Sequence, residues 1–290
     1  MRHALIIINP VAGKGKGLAV RDKLLNELDK AKITYDIIIS SYEGEIEKIA
    51  LDADIERITE IIVLGGDGTV VEAINGIINK KIRLGIIPIG TGNDFFRSIQ
   101  PKIDIDDAIK KIVDEKIILS DVGKINDTYF LNVSGFGMDS YILENLKKIK
   151  KYIKGSIAYT VSTFYTLFSY RSKKVYIEID GIQLERDIML VSICNGKYFG
   201  GGMMISPNAS IDDGQFELII VKKMSILRFI KLFGKIFKGT HLFVDEVEEF
   251  KGKKFKIKSD VEIPINVDGN LIGVTPLEIN VTNYKLEIFI

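Results

Sequence analysis

Residues 61–77 read IIVLGGDGTVVEAINGI, and this stretch decides the fold. Its first four residues are apolar, which is typical of a strand buried on both faces, and the apolar positions after residue 69 recur at helical spacing. A strand that passes into a helix through a glycine turn is the unit of a parallel α/β sheet. Ligands of such sheets bind beyond the carboxyl ends of the strands, which is where GGDGT, residues 65–69, falls.

The same unit repeats on both sides of this stretch. Apolar runs and helical spacing predict further strands and helices at residues 4–8, 17–31, 35–39, 45–51 and 84–87. Strands that alternate with helices predict a parallel sheet covered on both faces, which is a three-layer α/β arrangement. We expect this nucleotide-binding domain over residues 1–122, with residues 285–290 returning to it.

Beyond residue 122 the pattern changes to strands separated by turns. Such strands are predicted at residues 175–179, 188–193, 216–221, 255–257 and 263–267. Strands without helices between them favour an antiparallel sheet, and we expect a β-sandwich domain over residues 123–284. Two helical insertions are predicted within it, at residues 156–168 and 225–238.

The composition excludes several classes of protein. Forty Lys and Arg nearly cancel 39 Asp and Glu, so the formal charge of +1 offers no general field for nucleic acid. The single cysteine, Cys194, has no disulfide partner and lies in an apolar run, which suits a buried residue in a reducing compartment. The apolar run after the N-terminus is too short for a signal peptide or a membrane span. We expect a soluble, cytoplasmic protein.

Two more glycine loops follow predicted strands. NPVAGKGKG, residues 9–17, follows the first strand, and IPIGTGNDF, residues 87–95, ends the strand after GGDGT. The first loop alone is explained as well by a solvated turn, and Asp67 alone by an N-cap. Three polar glycine loops at one sheet edge instead predict a crevice for a polyphosphate nucleotide, although no P-loop motif is present.

Together these motifs resemble the diacylglycerol kinase catalytic family, which includes soluble bacterial lipid kinases and sphingosine and ceramide kinases. The resemblance covers almost the whole chain. It rests on the three glycine loops and on three further segments in the same order: SDVGKIN at residues 120–126, ISPNASIDDGQFELIIV at 205–221 and NVDG at 266–269. The resemblance implies an ATP- and Mg²⁺-dependent kinase that phosphorylates a lipid hydroxyl, with diacylglycerol as the first candidate.

The resemblance and the loops together also assign site residues. The nucleotide is expected to contact Asn9, Pro10, Val11, Ala12, Gly13, Lys14, Ser41, Gly65, Gly66, Asp67, Gly68, Thr69, Val70, Val71, Glu72, Thr91 and Asn93. The resemblance places a structural Mg²⁺ on the side chain of Asp213 and nearby carbonyls, here Ser210 and Gln215, because oxygen ligands suit that ion. The expected catalytic residues are Asp67, Asp94, Asp121, Asp268 and Asn270.

The chain departs from the family pattern at two positions. Ala12 stands where many relatives have Ser. Asn270 stands where the family usually has Glu, the base that accepts the proton of the substrate hydroxyl, and an amide cannot do this. One alternative is therefore a nucleotide- and lipid-binding protein with little kinase activity, in which Asn270 completes a Gly-Asn hairpin turn. A kinase of a soluble substrate, similar to NAD kinases, is the second alternative.

Residues 225–238 predict an amphipathic helix with Ile226, Phe229, Ile230, Phe233, Ile236 and Phe237 on one face. Arg228, Lys231, Lys235 and Lys238 fall largely opposite. The composition fits either a packed core helix with a basic outer face or a transient contact with the inner membrane surface. The expected partners are a lipid, this membrane surface and a second copy of the chain in a homodimer, because exposed sheet edges often pair.

Overall fold

The structure is a computed structural model that describes residues 2–15, 17–153 and 156–290. It confirms a mixed α/β architecture in which the described strands form one connected sheet. The strands are β1 His3–Ile8, β2 Thr34–Ile39, β3 Glu60–Gly65, β4 Arg83–Pro88, β5 Ile117–Ile125, β6 Thr128–Phe130, β7 Val133–Gly137, β8 Lys173–Ile179, β9 Ile182–Cys194, β10 Phe216–Lys222, β11 Val247–Gly252, β12 Lys254–Ser259, β13 Pro264–Val267, β14 Asn270–Val274 and β15 Leu277–Phe289. The α-helices are α1 Gly17–Lys30, α2 Glu45–Leu51, α3 Asp67–Ile77, α4 Asp94–Ile99, α5 Ile105–Val113, α6 Met138–Ile149, α7 Ser156–Ser169 and α8 Ile226–Phe233.

The N-terminal half is built on four parallel strands in the order β4-β3-β1-β2. Their apolar runs are buried: β3 has no exposed residue, and Ile62 pairs with Ile6 of β1. The helices pack on this sheet in pairs, α1 with α5 and α2 with α3. Because β1, β3 and β4 are adjacent and parallel, their carboxyl ends and the three glycine loops meet at one edge.

The second half is antiparallel and forms the predicted sandwich. Its strands run in the order β14-β13-β7-β9-β8-β12-β15, with β10 and β11 attached through β9. The interior side chains of these strands form one buried apolar cluster, which includes Phe130, Phe136, Phe216 and Phe255. A second cluster lies between β9 and β10 and the helical insertions, where it buries Met189, Leu190 and Tyr170.

Two long strands connect the halves. The first part of β15 pairs with β12 in the sandwich, and its last residues pair with β4 in the parallel sheet. β5 runs antiparallel to β15 along both parts, and the register shifts between Val281 and Lys285. The two halves are therefore joined by a two-stranded ribbon as well as by loops. The division of the chain at residue 122 stays a proposal.

The helices differ from the prediction in several places. The sequence analysis did not predict α4, α5 or α6, although Asp104 caps α5 by accepting from the backbone N–H groups of residues 106 and 107. The helix expected over residues 225–238 ends at Phe233 and continues as a 3₁₀ helix, Gly234–Lys238. Only part of its apolar face is packed: Ile226, Phe229 and Ile236 contact the core, and the rest is exposed.

Exposed apolar side chains concentrate on the helical insertions and on β2. Helix α7 exposes Ile157, Val161, Phe164, Tyr165 and Phe168. The outer strand β2 exposes Ile37, Ile38 and Ile39, and it is an edge of the kind that led us to expect a homodimer, which stays a prediction. Within the described ranges, none of the helices combines the length and the hydropathy that crossing a membrane requires.

Candidate functional site

The three glycine loops touch one another at the edge of the parallel sheet. A Cβ placed on Gly90 would overlap the Cα of Gly66, and one placed on Gly13 would overlap the carbonyl oxygen of Ile89. Gly13 also has a φ of +59°, a conformation that favours glycine. Close backbone approach therefore requires glycine at these positions. The absence of side chains at these glycines brings the backbones of the three loops together.

Asn9 and Thr69 hold two of these loops together. The Nδ2 group of Asn9 donates to Thr69 Oγ1 at 3.0 Å, and the Oδ1 atom of Asn9 accepts from the N–H of Val11 at 3.2 Å. Thr69 is buried, whereas Val11, Gly68 and Thr91 are exposed. Asn9 and Thr69 thus fix the shape of the surface through their side chains, and the exposed residues form that surface.

Asp67 is the first residue of α3 and faces the third loop. The N-cap of this helix is Gly66, so the N-cap explanation for the Asp67 side chain was wrong. Its Oδ1 atom accepts instead from the N–H of Phe95 at 3.2 Å, and its Oδ2 atom lies beside Gly92. Burial raises the pKa of Asp67, and the backbone N–H groups of residues 93–95 oppose this shift.

Asn93 and Asp94 connect the third loop to the second half. Asn93 has a φ of +52°, and its Nδ2 group donates to the carbonyls of Gly90 at 2.9 Å and Pro88 at 3.2 Å. The buried Asp94 accepts from the N–H of Gly201 at 2.7 Å through Oδ2. Burial raises the pKa of Asp94, and the charge of Asp67 adds to this effect. The two carboxylates therefore face a common space.

Three other predicted residues make contacts away from the glycine loops. The Glu72 carboxylate accepts from the N–H of Ile46 in α2 at 3.2 Å. Ser41 is exposed after β2, and its N–H donates to the Glu45 carboxylate. Asp121 is buried on β5 and contacts the loop of residues 210–215. Nothing is described for the side chain of Lys14, so its assignment to the nucleotide lies outside the described part of the structure.

The predicted structural Mg²⁺ site is the loop of residues 210–215, which joins the two halves. Asp121 accepts from the N–H of Gly214 at 2.6 Å and forms an ion pair with Lys285 at 2.9 Å. The Asp213 carboxylate lies 2.5 Å from the ammonium group of Lys251, which also contacts Glu217 at 2.8 Å.

These contacts fit a metal poorly. The other oxygen of Asp213 accepts from the N–H of Gln215 at 3.1 Å, and the Ser210 hydroxyl donates to Asp212 at 2.6 Å. A Lys ammonium therefore holds the carboxylate that a cation would need. Across the described residues, no three His, Cys, Asp or Glu side chains converge as metal ligands. The Mg²⁺ at Asp213 stays a prediction.

The base position lies in the turn between β13 and β14. Asp268 and Gly269 form this turn with φ values of +46° and +91°, which corresponds to a type I′ Asp-Gly hairpin. The proposed Gly-Asn turn was therefore wrong. Asn270 is the exposed first residue of β14 and pairs with Val267. Asp268 does not continue an extended strand, so it and Asn270 do not share a face.

The Asp268 carboxylate accepts hydrogen bonds from three backbone N–H groups. Val133 donates at 2.7 Å, Leu131 at 3.1 Å and Asn132 at 3.4 Å. Burial raises the pKa of Asp268 to about 7, the three N–H groups oppose this shift, and the charge of Asp67 adds to it. Both oxygens of Asp268 thus hold the backbone of residues 131–133, and its catalytic role stays a prediction.

The sequence analysis missed Asp139, at the start of α6. Its Oδ2 atom accepts from Asn266 Nδ2 at 3.2 Å, while its Oδ1 atom is buried without a partner among the described residues. Burial raises the pKa of Asp139 to about 6. The charges of Asp139 and Asp94 also raise the pKa of Tyr159 on α7, after the larger effect of burial. Asp139 and Asp94 therefore both lie within the electrostatic reach of one side chain, Tyr159.

Comparison with known proteins agrees with this arrangement. The family model described as the diacylglycerol kinase catalytic domain matches residues 3–125, and the model described as the YegS C-terminal NAD kinase beta sandwich-like domain matches residues 132–290. A protein named diacylglycerol kinase from Staphylococcus carnosus is 32% identical, with 99% of this chain and 94% of that protein covered. This chain belongs to the diacylglycerol kinase family.

Other members support the same assignment. A diacylglycerol kinase from Bacillus subtilis is 29% identical over 96% of this chain and 93% of its own length. A crystal structure of a diacylglycerol kinase from Bacillus anthracis matches with a TM-score of 0.78 and 28% identity, covering 99% of this chain and 96% of that one. The chain is therefore a kinase, and its family acts on lipids. This favours a lipid substrate over the soluble substrate of the alternative similar to NAD kinases.

Proposed function

We propose that this kinase transfers the γ-phosphate of ATP to a lipid hydroxyl, with diacylglycerol as the first acceptor to test and phosphatidic acid as its product. The observation that carries the proposal is the position of Asp67, which lies where three glycine loops meet and whose charge, after the larger effect of burial, raises the pKa of both Asp94 and Asp268. Backbone N–H groups at such an edge suit phosphate oxygens. One carboxylate together with phosphate oxygens is a common way for proteins to hold Mg²⁺.

Phosphoryl transfer requires positioning and charge neutralisation more than covalent help from the protein. In this proposal Asp67 would hold a Mg²⁺ ion, which when bound would supply charge neutralisation at the phosphates. The loops orient the phosphate chain through their N–H groups, and Asn9 and Thr69 keep those groups in place. Asp268 orients the backbone of residues 131–133 on the acceptor side of the cleft.

The acceptor would enter between the halves along α7. This helix places Tyr159 within the electrostatic reach of Asp94 and Asp139, and it exposes Val161, Phe164 and Phe168 about half a turn around the helix from Tyr159. In this proposal the exposed apolar face would hold the acyl chains, and the hydroxyl would be directed toward the side of the helix that carries Tyr159. A lipid, and not a soluble alcohol, is the acceptor that uses such a surface.

A lipid panel tests this proposal. Labelled ATP and Mg²⁺ are supplied with mixed micelles that contain diacylglycerol, ceramide, a sphingoid base or phosphatidylglycerol, and the products are separated by chromatography. We expect label in phosphatidic acid above all others. Label in another lipid would mean that this lipid is the acceptor, and the protein would still be a lipid kinase. No labelled lipid from either wild type or Asn270→Glu, with Mg-ATP still raising the Tm, would favour the non-catalytic binding protein.

We also propose a transient contact with membranes through α8 and the 3₁₀ helix that follows. This segment exposes Leu227, Ile230, Phe233 and Phe237, and it carries Lys231, Lys235 and Lys238. Apolar side chains beside basic ones bind anionic lipid surfaces. We expect Phe233→Ser/Phe237→Ser to reduce sedimentation with anionic vesicles several-fold. Ile182→Ser removes an even more exposed apolar side chain on the β8–β9 hairpin and serves as the control.

A further inference from the structure

Asn270 leaves the acceptor side of the cleft without the carboxylate expected there. The side chain is exposed, and its amide has no basic oxygen that could take a proton at neutral pH. Asp268, the nearest carboxylate in sequence, already accepts three backbone hydrogen bonds. If the enzyme uses a base, that base must come from another element.

Asp139 has the properties that such a base needs. Its Oδ1 atom is buried and has no hydrogen-bond partner in the described ranges, so one basic oxygen is available. Its Oδ2 atom is held by Asn266 Nδ2 at 3.2 Å, which fixes the orientation of the carboxylate. A catalytic base is most effective when its pKa lies near the working pH, and burial raises the pKa of Asp139 to about 6.

Asn266 also connects Asp139 to the turn that carries Asn270. Its Oδ1 atom accepts from the N–H of Gly269 at 2.9 Å, while its Nδ2 group donates to Asp139. A single side-chain amide therefore spans from the Asp139 carboxylate to the turn at the family's base position. After the larger effect of burial, the negative charges of Asp139 and Asp94 both raise the pKa of the Tyr159 hydroxyl, and the charge of Asp67 raises the pKa of Asp94.

We propose that Asp139 accepts the proton of the lipid hydroxyl in this kinase and so replaces the carboxylate that Asn270 lacks. The inference rests on the proposed function. In the transfer step, the hydroxyl oxygen forms a bond to the γ-phosphorus and its proton moves to Asp139 Oδ1. The bond between the γ-phosphorus and the bridging oxygen breaks, and ADP leaves with that electron pair. Asp139 returns its proton to water after the phosphorylated lipid departs.

The titration of Asp139 can be distinguished from that of the ionisable groups packed around it. The ionisable groups that face it are the Tyr159 and Tyr170 hydroxyls, from α7 and the residue that follows it, and the Cys194 thiol on β9. Burial raises the pKa of all three, so they stay neutral near neutral pH. Activity should therefore rise with pH through about 6 as Asp139 loses its proton. Asp268, with a pKa of about 7, titrates close to this range, so the part of the rise that Asp139→Asn removes identifies Asp139.

Asp139→Asn is the test, because it keeps an oxygen for Asn266 and removes the basic charge. We expect kcat for lipid phosphorylation to fall about 10²–10⁴-fold, which is the usual contribution of a positioned base. The rise of kcat between pH 5 and 7, about one unit on each side of the Asp139 pKa, should disappear. The affinity for Mg-ATP, measured by calorimetry, should stay unchanged. Asp127→Asn, an exposed carboxylate in the β5–β6 turn, is the matched control.

Rescue by Asn270→Glu separates a base from a structural residue. We expect Asp139→Asn/Asn270→Glu to recover most of the lost kcat, because the carboxylate is restored at the family's position. A kcat for Asp139→Asn within threefold of wild type, with the same rise with pH, would overturn the assignment and leave the lipid kinase intact. An inactive wild type with an active Asn270→Glu variant would also overturn it. If neither transfers phosphate, the proposed function itself fails.

Asn266→Ala provides a second measurement that does not need the Asp139 variant to fold. The hydrogen bond from Asn266 stabilises the charged form of Asp139, so its loss should raise the pKa of this carboxylate. We expect the rise of kcat to move to higher pH in Asn266→Ala. An unmoved pH profile with lower kcat would mean that Asn266 only supports the turn, and that Asp139 is not the titrating base.

Discussion

Two carboxylates, one in each half, accept hydrogen bonds from backbone N–H groups. Asp67 lies in the glycine loops and Asp268 in the turn between β13 and β14, and they differ in how many of their oxygens these bonds use. Asp67 accepts from Phe95 through one oxygen, and its other oxygen lies at the edge where the loops meet. Asp268 uses both oxygens to accept three N–H groups. The Asp67 oxygen at the loop edge can act on a ligand, whereas three of the roughly four acceptor sites of the Asp268 carboxylate are used to hold the backbone around it.

The two halves also differ in how closely they match the pattern of the family. The loops that we assign to the nucleotide carry every glycine and Asp67 of the expected pattern, and their backbones are in contact. The acceptor side carries Asn270 at the base position and a carboxylate, Asp139, that comes from a different element. Nucleotide binding should therefore be insensitive to changes on the acceptor side, and phosphate transfer should depend on both.

The largest effect is expected from Asp67→Asn. This change removes the charge that we assign to Mg²⁺ and keeps the acceptor for the N–H of Phe95. Loss of one electrostatic group at a transfer site typically costs about 10²–10³ in kcat, and loss of the metal as well should bring transfer close to the detection limit. Steady-state assays with labelled ATP measure the change. Activity near that of wild type would remove Asp67 from the mechanism and leave the loops as a structural feature.

A smaller effect is expected from Gly90→Ala, which tests whether the loops must touch. A Cβ at this position overlaps the Cα of Gly66, so the third loop has to move away from the second. Overpacking of this kind costs about 1–3 kcal/mol in the free energy of unfolding, and Mg-ATP binding should weaken with it. Gly234→Ala is the control, because no atom lies within 4 Å of its added Cβ.

Thermal melting with and without Mg-ATP distinguishes these variants. We expect Gly90→Ala to lower the Tm and to reduce the shift that the nucleotide produces. Gly234→Ala should raise the Tm slightly, because alanine fits its helical φ of −62°, and should leave the nucleotide shift unchanged. A Gly90→Ala variant with a lower Tm and a normal nucleotide shift would show that loop contact serves folding alone. Such a result would also weaken the contrast between the two halves, since neither turn would then be specialised for a ligand.

The sequence predicted the parallel sheet and its loops because their signals are local. A buried strand, a glycine turn and a helix follow one another within residues 61–77, and the same order recurs at the neighbouring strands. The Asp-Gly pair at residues 268–269 is also a local hairpin signal, and it would have located the turn correctly. Helix α6 has no such signal, since it begins directly after β7, where Gly137 has a φ of +109° and no side chain to act as a cap.

Asp139 could not be assigned from the sequence for a different reason. Its partner Asn266 lies 127 positions away, and the two meet only because β7 and β13 are adjacent, with Gly135 opposite Asn266. The exposed apolar face of α7 could not be predicted either. Helical spacing shows which side chains share a face, but it does not show which face packs against the rest of the protein. The prediction for residues 225–238 failed in detail on this point, since packing selects only three of the six apolar side chains.

The smallest effect is expected on stability, when wild type is compared with Asp139→Asn. Burial raises the pKa of Asp139 to about 6 in the folded protein, whereas an unfolded Asp titrates near 3.9. The folded state therefore binds the proton more tightly than the unfolded state. The stability that this group contributes is present below about pH 4 and is lost as the pH rises to about 6. Above that range the buried charge is a constant destabilising effect.

Asp139→Asn resembles the protonated acid at every pH, so its Tm relative to that of wild type should depend on pH in a defined way. We expect the two values to agree near pH 4, the variant to become more stable by a few degrees as the pH rises to about 6, and the difference to be constant above pH 7. Because the same variant should lose phosphate transfer, a gain in stability with a loss of activity would mark Asp139 as a group retained for function. A lower Tm for the variant at pH 7 would instead mean that the carboxylate stabilises the fold, and its role would then match that of Asp268.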